Sequence, residues 1–233
     1  MKLEIIHEDE DLVAINKPAG LLVHKTRIDA YETEFALQIL RDQIDHWVTP
    51  VHRLDKPTSG VLLFSKKKEH LPFLKGQFED KKVDKKYLAI CRGIPKNSSG
   101  VIDYALSSEY SDSKQEAVSE YKLLAETELP FDTTGRYPTS RYSLIEVKPK
   151  TGRTHQIRKH LAHIRHYIIG DKKHGDNRQN QFFESQFGNE NLLLHSLELG
   201  ILHPVSNSQI ILKAKLPNHF SRILDLCGLE YPG

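Results

Sequence analysis

The sequence of 233 residues predicts an α+β protein with a largely antiparallel, mixed β-sheet flanked by helices and loops. Three observations lead to this fold class. Segments with β-type composition outnumber segments with helical periodicity, and the two kinds do not alternate regularly as they do in βαβ folds. No internal repeat, low-complexity tract or linker divides the chain, so a single domain over residues 1–233 is expected.

The N-terminal third begins with three apolar, β-type runs and a Pro–Gly turn in "NKPAG". The runs cover residues 3–9, 11–18 and 21–25. Apolar residues near helical spacing predict a helix over 31–44. A strand over 60–66 then precedes a helix over 69–82, in which Pro72 fits the first turn.

The rest of the chain adds strands over residues 85–93, 101–108, 117–129, 143–149 and 209–217. The run "AVSEYKLLAETEL" fits a strand or a helix, and we favour a strand because a turn-rich connection follows it. Helices are predicted over residues 154–164, 178–188 and 219–228. Gly228 marks the end of the last helix.

Composition excludes several classes of protein. No apolar run approaches the roughly 18–20 residues that span a bilayer, and the acidic N-terminus does not resemble a signal peptide. Two distant cysteines, Cys91 and Cys227, support neither a disulfide framework nor a cysteine zinc site. We expect a cytoplasmic protein.

Positive charge is concentrated in one segment. Residues 148–178 contain nine Lys or Arg and two acidic residues, a balance of +7, whereas the whole chain carries +2. The rest of the chain therefore carries 2 − 7 = −5. Such a segment is either a solvated helix face or a surface for a polyanion, and a phosphate backbone is the natural polyanion.

Three blocks of sequence carry the strongest functional signal: "HRLDKPTSGVLLF", "KKYLAICRG" and "EVKPKTGRTHQIRKHL". Together they resemble the RluA-type pseudouridine synthases, and "LVAINKPAGLLVH" and "LLLHSLELGILHP" extend the resemblance over almost the whole chain. The run from "GRYPTSRY" to "HGDNRQN" is similar to the TruC-type tRNA pseudouridine(65) synthases. Many RluA-type enzymes carry an S4 domain before the catalytic pattern, which here begins at Leu3. Ser196 stands where many have Ala.

The resemblance implies the pseudouridine synthase fold and an isomerase that converts uridine to pseudouridine in RNA. This reaction has no net redox change, so no cofactor is expected. A carboxylate nucleophile suffices, and the resemblance assigns that role to Asp55. Whether Asp55 attacks ribose carbon 1′ or uracil carbon 6 stays open.

The resemblance also assigns partners to Asp55. Arg158, in "HQIR", is the arginine that would keep the Asp55 carboxylate ionised and anchored. Arg53 would fill the space left by a flipped base, and His52 begins the same block and would contact the RNA. An Asp–Arg pair outside such a motif is usually a solvated ion pair worth at most about 1 kcal/mol.

The resemblance implies that the ring of Tyr87 packs against the target uracil, although an aromatic residue near a strand start is more often part of the core. The neighbouring Lys85 and Lys86 favour a contact between Tyr87 and RNA over a place in the core. Ile157 is expected to form an apolar wall of the same pocket. Further substrate contacts are expected from cations of the basic segment, namely Lys150, Arg153, Lys172 and Lys173.

The histidines of segment 155–174 offer a competing interpretation as metal ligands. No HExxH motif occurs, no acidic residue lies between Thr151 and Gly170, and the Lys and Arg residues of that segment would repel a cation. We therefore expect no metal. The sequence favours a monomeric tRNA-modifying enzyme; the alternatives are an enzyme for ribosomal RNA or another tRNA position, a non-catalytic RNA-binding module, and a metal hydrolase.

Overall fold

The computed structural model describes residues 1–24, 34–107 and 113–231. The helices in these ranges are α1 Ala36–Ile44, α2 Leu71–Glu79, α3 Gln156–His163, α4 Asn177–Phe187 and α5 Asn218–Cys227. A short 3₁₀ helix, Lys68–His70, precedes α2. None of the described helices has the length and hydropathy that crossing a bilayer requires.

Strands supply most of the regular structure. In chain order they are β1 Glu4–Glu8, β2 Leu12–Lys17, β3 Thr49–Pro50, β4 Ser59–Ser65, β5 Asp84–Arg92, β6 Ser99–Asp103, β7 Leu106–Ser107, β8 Lys114–Gln115, β9 Val118–Leu129, β10 Ser140–Pro149, β11 Leu194–Leu202 and β12 Gln209–Lys213. The described pairings β1/β2, β2/β4, β3/β4, β5/β10, β6/β9, β7/β8, β9/β10 and β11/β12 are all antiparallel.

The chain forms two compact units. Unit 1 comprises Met1–Lys85 and Ser196–Lys215. Its strands lie in the order β1-β2-β4-β11-β12, and β3 pairs with β4. The run from Leu12 to Ile15 in β2 and the whole of β4 are buried, which is why residues 12–15 and 61–64 are apolar without alternation. Their side chains form a core with α2 and β12.

Unit 2 comprises Lys86–His195 and Leu216–Gly233. Its strands lie in the order β5-β10-β9-β6. In the β5/β10 register Val147 faces Tyr87 and Tyr142 faces Arg92. The apolar side of α3 packs with this sheet, since Ile157 and Leu161 share a buried cluster with Ala89 and Val147.

The α+β prediction with antiparallel pairing is confirmed, and the ambiguous segment 117–129 is strand β9. The strand predicted over 21–25 is wrong for its described part, where Leu22 makes only an isolated bridge with Phe35. The predicted helix over 31–44 begins at Ala36, and its residues 31–33 lie outside the described residues. One catalytic domain over 1–233 stays a prediction.

Candidate active site

Asp55 lies in the connection between β3 and β4 of unit 1. The backbone N–H of Thr58 donates to the carbonyl of Asp55 over 3.0 Å and closes a turn. Leu54 is buried beneath this turn, whereas Asp55 itself is half-buried. The loop therefore has an apolar anchor and presents the carboxylate at the boundary between core and solvent.

Gly60 explains why "TSG" follows the Asp55 turn. Its φ is +113°, and a Cβ there would lie 2.1 Å from the carbonyl oxygen of Ser196. Only glycine permits both the backbone conformation and this close approach. The end of the turn is thus fixed against β11.

Lys17 braces the same loop from within unit 1. Its buried ammonium donates to the carbonyls of Pro18 and Leu21, both at 2.8 Å, and of Lys56 at 3.2 Å. Burial lowers the pKa of Lys17 to about 7, and the negative charge of Asp55 acts in the opposite direction. Lys17 thus ties the "NKPAG" turn to the residue that follows Asp55.

His52 and Arg53 differ in environment although they are adjacent. His52 Nε2 accepts a hydrogen bond from the backbone N–H of Leu63 over 3.1 Å, and its ring stacks on Phe78. Burial and the positive charge of Lys85 lower the pKa of His52 to about 4. The Arg53 side chain is exposed and makes no hydrogen bond or ion pair with the described residues. His52 thus has partners within unit 1, and Arg53 is available to a ligand; the predicted contact of His52 with RNA stays a prediction.

Tyr87 and Ile157 lie together in unit 2. Ile157 belongs to the buried apolar cluster, and the half-buried Tyr87 packs against that cluster. Tyr87 stands near the start of β5, opposite Val147. An apolar surface next to a tyrosine ring is the environment predicted for the uracil, and the contact with uracil stays a prediction.

The start of α3 is fixed by Gln156. Its Oε1 accepts from the Thr151 hydroxyl at 2.6 Å and the Arg153 N–H at 3.0 Å, and its Nε2 donates to the carbonyl of Val118 at 2.9 Å. His155, just before the helix, has the left-handed φ of +55°. These contacts set the direction in which Arg158, in the first turn, leaves the helix.

Arg158 forms a bidentate ion pair with Asp171. Nε donates to Oδ2 over 2.8 Å and Nη2 donates to Oδ1 over 2.7 Å, and both side chains are buried. A guanidinium held by two parallel hydrogen bonds has a fixed plane. Within unit 2, Asp171 is therefore the carboxylate that orients Arg158; the predicted pairing of Arg158 with Asp55 stays a prediction.

Asp171 is itself held from several sides. Its Oδ1 accepts the backbone N–H groups of Lys173 and His174 over 3.0 and 2.9 Å. Burial raises the pKa of Asp171, but the hydrogen bonds and charge of Arg158 outweigh burial and keep it below the usual value. Gly170 precedes it with φ +80°, where a Cβ would overlap the carbonyl oxygen of Asn191. The local fold therefore holds an ionised carboxylate in contact with Arg158.

The predicted RNA-contacting cations lie exposed on unit 2. Lys150 pairs with Glu120 at 2.8 Å, and Arg153 donates from Nε to the carbonyl of Glu116 at 3.0 Å. Both contacts are at the surface, where an ion pair contributes at most about 1 kcal/mol and exchanges readily for a phosphate. The side chain of Lys172 has no partner among the described residues.

Comparison with known proteins identifies the family. The family model described as RNA pseudouridylate synthase matches residues 11–163. A protein of Vibrio parahaemolyticus named tRNA pseudouridine synthase C is 46% identical over 233 residues, which cover 96% of this chain and 94% of that protein. A protein of the same name from Vibrio vulnificus is 43% identical over 240 residues, which cover 99% of this chain and 96% of that protein. This chain belongs to the RNA pseudouridylate synthase family.

A solved structure agrees with this assignment. Human RNA pseudouridylate synthase domain containing 4 is 27% identical, with a TM-score of 0.77 over 99% of this chain and 95% of that one. The resemblance of the three sequence blocks to RluA-type and TruC-type enzymes is thereby confirmed, as is the pseudouridine synthase fold. The blocks lie in both units of this synthase.

Three histidines of segment 155–174 in this pseudouridylate synthase make contacts within the protein. His160 is buried between the hydroxyl of Ser119 and the carbonyl of Tyr104. His155 Nδ1 and His174 Nε2 are 2.9 Å apart and share one hydrogen bond. Burial lowers the pKa of His174 to about 4, so this ring is neutral at pH 7. No metal-ligand cluster occurs among the described residues of this segment.

One group of metal-ligand type lies elsewhere, in unit 1. Asp9, Asp11 and His203 place side-chain oxygen and nitrogen atoms within 4.8 Å of one another. Lys67 Nζ already lies 2.7 Å from Asp11 Oδ1, and His203 Nδ1 accepts backbone N–H groups, which leaves the proton on Nε2 facing the carboxylates. The group is explained by ion pairing within the protein.

Sequence reasoning missed Lys17, Gln156 and Asp171. The signal for Lys17 was present, because Lys17 ends a strand that begins with the apolar run 12–15, and a buried lysine must have its ammonium satisfied by nearby carbonyls. Gln156 stands inside the recognised "HQIR" motif. Asp171 lies thirteen residues after Arg158, across a helix end and a turn, and no local pattern connects the two.

Proposed function

We propose that this protein converts uridine to pseudouridine in tRNA, at position 65 of the T-stem. The observation that carries the proposal is the "HRLDKPTSG" loop, built to hold Asp55 at the edge of a buried strand, in a chain 46% identical to a protein named tRNA pseudouridine synthase C. The basic segment 148–178 supports a phosphate backbone as the partner.

In the proposed reaction the bond from uracil nitrogen 1 to ribose carbon 1′ breaks and a bond from uracil carbon 5 to that carbon forms. The hydrogen on carbon 5 leaves to solvent, and nitrogen 1 gains one. Asp55 adds either to carbon 1′ or to uracil carbon 6 and is released at the end. Electrons balance without an external oxidant or reductant, so the reaction requires no redox cofactor.

Arg158 and Asp171 supply the fixed positive group of the proposed site. The fork of Arg158 is oriented by two hydrogen bonds to Asp171, so little reorganisation is needed when charge changes on the nucleophile or the base. In this proposal the uracil packs on Tyr87 and the apolar wall at Ile157. Stacking and an apolar wall hold the base while it turns about its ring.

Access to uridine 65 requires that the nucleotide leaves a paired stem, at a cost of a few kcal/mol. Arg53 lies two residues before Asp55, and its exposed side chain has no partner among the described residues. We assign to Arg53 the filling of the vacated space, since its planar guanidinium stacks on bases. His52, whose ring faces Phe78, positions this part of the loop from behind.

Mapping of pseudouridine in total RNA, from cells with and without the gene for this protein, tests the proposal. We expect loss of pseudouridine at tRNA position 65 alone, with restoration by the wild type but not by Asp55→Ala. Loss at a ribosomal RNA site or at another tRNA position would replace the proposed substrate. Unchanged pseudouridine at every position would mean that the protein is a non-catalytic RNA-binding module. We also propose that the protein acts on tRNA as a monomer and in the cytoplasm.

A further inference from the structure

A pocket of about 310 Å³ lies in unit 2, where the end of β5, the β9–β10 connection and the first turn of α4 meet. Its lining includes Arg92, Thr133, Tyr137, Arg141 and Gln179. None of these residues belongs to the site described above. The volume is at the lower end of the range for small-ligand pockets.

The floor of this pocket is a fixed chain of polar groups. The buried Tyr142 donates its hydroxyl to Gln179 Oε1 over 2.7 Å, and Gln179 Nε2 donates to Thr133 Oγ1 over 2.7 Å. Thr133 Oγ1 and Ser140 Oγ are also 2.7 Å apart. The hydroxyl groups at the floor are therefore held in place before any ligand arrives, which reduces the entropy lost on binding.

Of the two arginines among the described residues that line the pocket, Arg92 has an acidic partner and Arg141 has none. Asp176 accepts from Arg92 Nη1 over 2.6 Å, and Glu128, which lies opposite Arg141 in the β9/β10 register, accepts from the hydroxyl of Thr139. Arg141 is exposed, and its side chain makes no hydrogen bond or ion pair with the described residues. An unpaired guanidinium beside hydroxyl groups is a typical phosphate site.

An aromatic ring completes the arrangement. The side chain of Tyr137 lines the pocket and is 67% exposed. A solvent-exposed ring next to an unpaired arginine suits a nucleotide, because the base stacks on the ring and the phosphate binds the guanidinium. An isolated anion would use the arginine but would have no need for the ring.

The pocket has a fixed position relative to Tyr87. Arg92 and Tyr87 are five residues apart on β5, and both are paired with β10. At about 3.4 Å per residue they are roughly 17 Å apart. The odd separation puts the side chains of Arg92 and Tyr87 on opposite faces of β5. Arg141 is six residues from Val147 on β10, on the face of the sheet that carries Tyr87, so an RNA with its target uridine at Tyr87 can reach Arg141 along that face.

We propose that this pocket binds a second nucleotide of the substrate RNA, unpaired, with its base on Tyr137 and its phosphate on Arg141. The inference rests on the proposed function, because it takes RNA as the substrate. The second contact secures the RNA outside the candidate active site, so it contributes to affinity and not to the chemical step.

The test compares the affinity of a tRNA transcript for wild type, Arg141→Ala, Tyr137→Ala and Tyr137→Phe over a series of salt concentrations. We expect Tyr137→Ala to weaken binding by on the order of tenfold and Tyr137→Phe, which keeps the ring, to bind like the wild type. Arg141→Ala should reduce the slope of log affinity against log salt by about 0.7–0.9, as for one phosphate contact. Single-turnover rates at saturating RNA should not change.

Lys96→Ala is the matched control, since Lys96 is exposed on the same unit and its side chain has no partner among the described residues. Phosphate-ethylation interference adds a direct readout: at least one phosphate that matters for wild type should cease to matter for Arg141→Ala. Equal losses of affinity for Lys96→Ala and Arg141→Ala, or identical interference patterns, overturn the proposal. So does binding of free UMP that Arg141→Ala abolishes while tRNA affinity is unchanged.

These readouts separate the two proposals. Binding and ethylation interference do not require turnover, so they test the pocket even with a tRNA that is not modified. Absence of pseudouridine formation by the wild type contradicts the proposed function only. Normal pseudouridine formation with unchanged affinity of Arg141→Ala and Tyr137→Ala contradicts the pocket only.

Discussion

The guanidinium of Arg158 is held by Asp171 through two hydrogen bonds of 2.8 and 2.7 Å, with both side chains buried in unit 2. Asp171 therefore fixes the orientation of the arginine that the family resemblance assigns as the partner of Asp55. Asp171 is a positioning residue in this account, and its effect on catalysis acts through Arg158.

Asp171→Asn tests this role, because it keeps the side-chain shape and removes the charge that Arg158 faces. We expect the free energy of unfolding to fall by about 3–5 kcal/mol, as for other broken buried pairs. The single-turnover rate should fall by on the order of 100-fold, since a misplaced catalytic group has effects of that size. Chemical denaturation measures the change in the free energy of unfolding, and single-turnover kinetics measures the change in rate.

Asp11→Asn is the control for stability alone. Asp11 is also a buried carboxylate with cationic partners, Lys67 and His70, but it lies in unit 1 outside the candidate site. It should lower stability and leave the single-turnover rate unchanged. Equal rates for the wild type and Asp171→Asn would remove Asp171 from the mechanism.

The pH dependence of stability provides a prediction for His52. Its pKa is about 4 in the folded protein, mainly because of burial, against about 6.5 in an unfolded chain. Between these values the unfolded chain binds a proton that the folded protein does not, so stability is full above about pH 6.5 and is lost as pH falls towards 4. His52→Gln retains an acceptor for Leu63 and does not titrate.

Denaturation curves of His52→Gln from pH 4 to 7 should therefore show a shallower loss of stability than those of the wild type. His24→Gln, at an exposed histidine, should keep the wild-type slope. An unchanged slope for His52→Gln would show that the ring is not held neutral by the fold.

Arg53→Lys separates base flipping from simple phosphate binding. Lysine keeps the charge but loses the plane that stacks on bases, so tRNA should bind almost normally and be converted slowly. A tRNA with a mismatch at the target uridine flips more easily, so the defect should be smaller on it. If the ratio of wild-type to Arg53→Lys single-turnover rates is the same on both RNAs, Arg53 does not fill the vacated space.

Charge reversal tests the basic segment. Lys172→Glu together with Lys173→Glu should weaken tRNA binding and make the salt dependence less steep, by about 0.7–0.9 in slope for each phosphate that the variant no longer binds. Rates on bound RNA should not change. A control with Lys2→Glu and Lys96→Glu makes the same change in net charge at exposed side chains without described partners. Equal losses of affinity in both proteins would mean that only net charge matters.

The sequence predicted strands and helices well where side-chain periodicity agrees with the residues that cap or end an element. Helix α4 begins at the cap Asp176, which accepts backbone N–H groups, and ends at Gly188 in the left-handed conformation. The prediction over 21–25 is wrong where described, since Leu22 makes only an isolated bridge with Phe35 and apolar composition alone does not extend this bridge into a strand.

The site was only partly predictable for the same reason. Asp55, Arg53 and Arg158 stand in short motifs, whereas Asp171 reaches Arg158 through a turn that depends on Gly170 and on the side chain of Asn180, which bonds to the backbone of both Gly170 and Asp171. The pocket at Arg141 needs a β-ladder and a helix start to meet. Contacts between distant segments leave no periodic signal in a single sequence.

The most direct test of the central claim is tritium release from uracil carbon 5 of a labelled tRNA transcript by purified wild type and Asp55→Asn, with tRNA affinity measured for both. Wild type should release tritium from position 65, and Asp55→Asn should bind the same tRNA with near wild-type affinity and release none, because the amide is not a nucleophile. Substantial release by Asp55→Asn, or none by the wild type, would contradict the account.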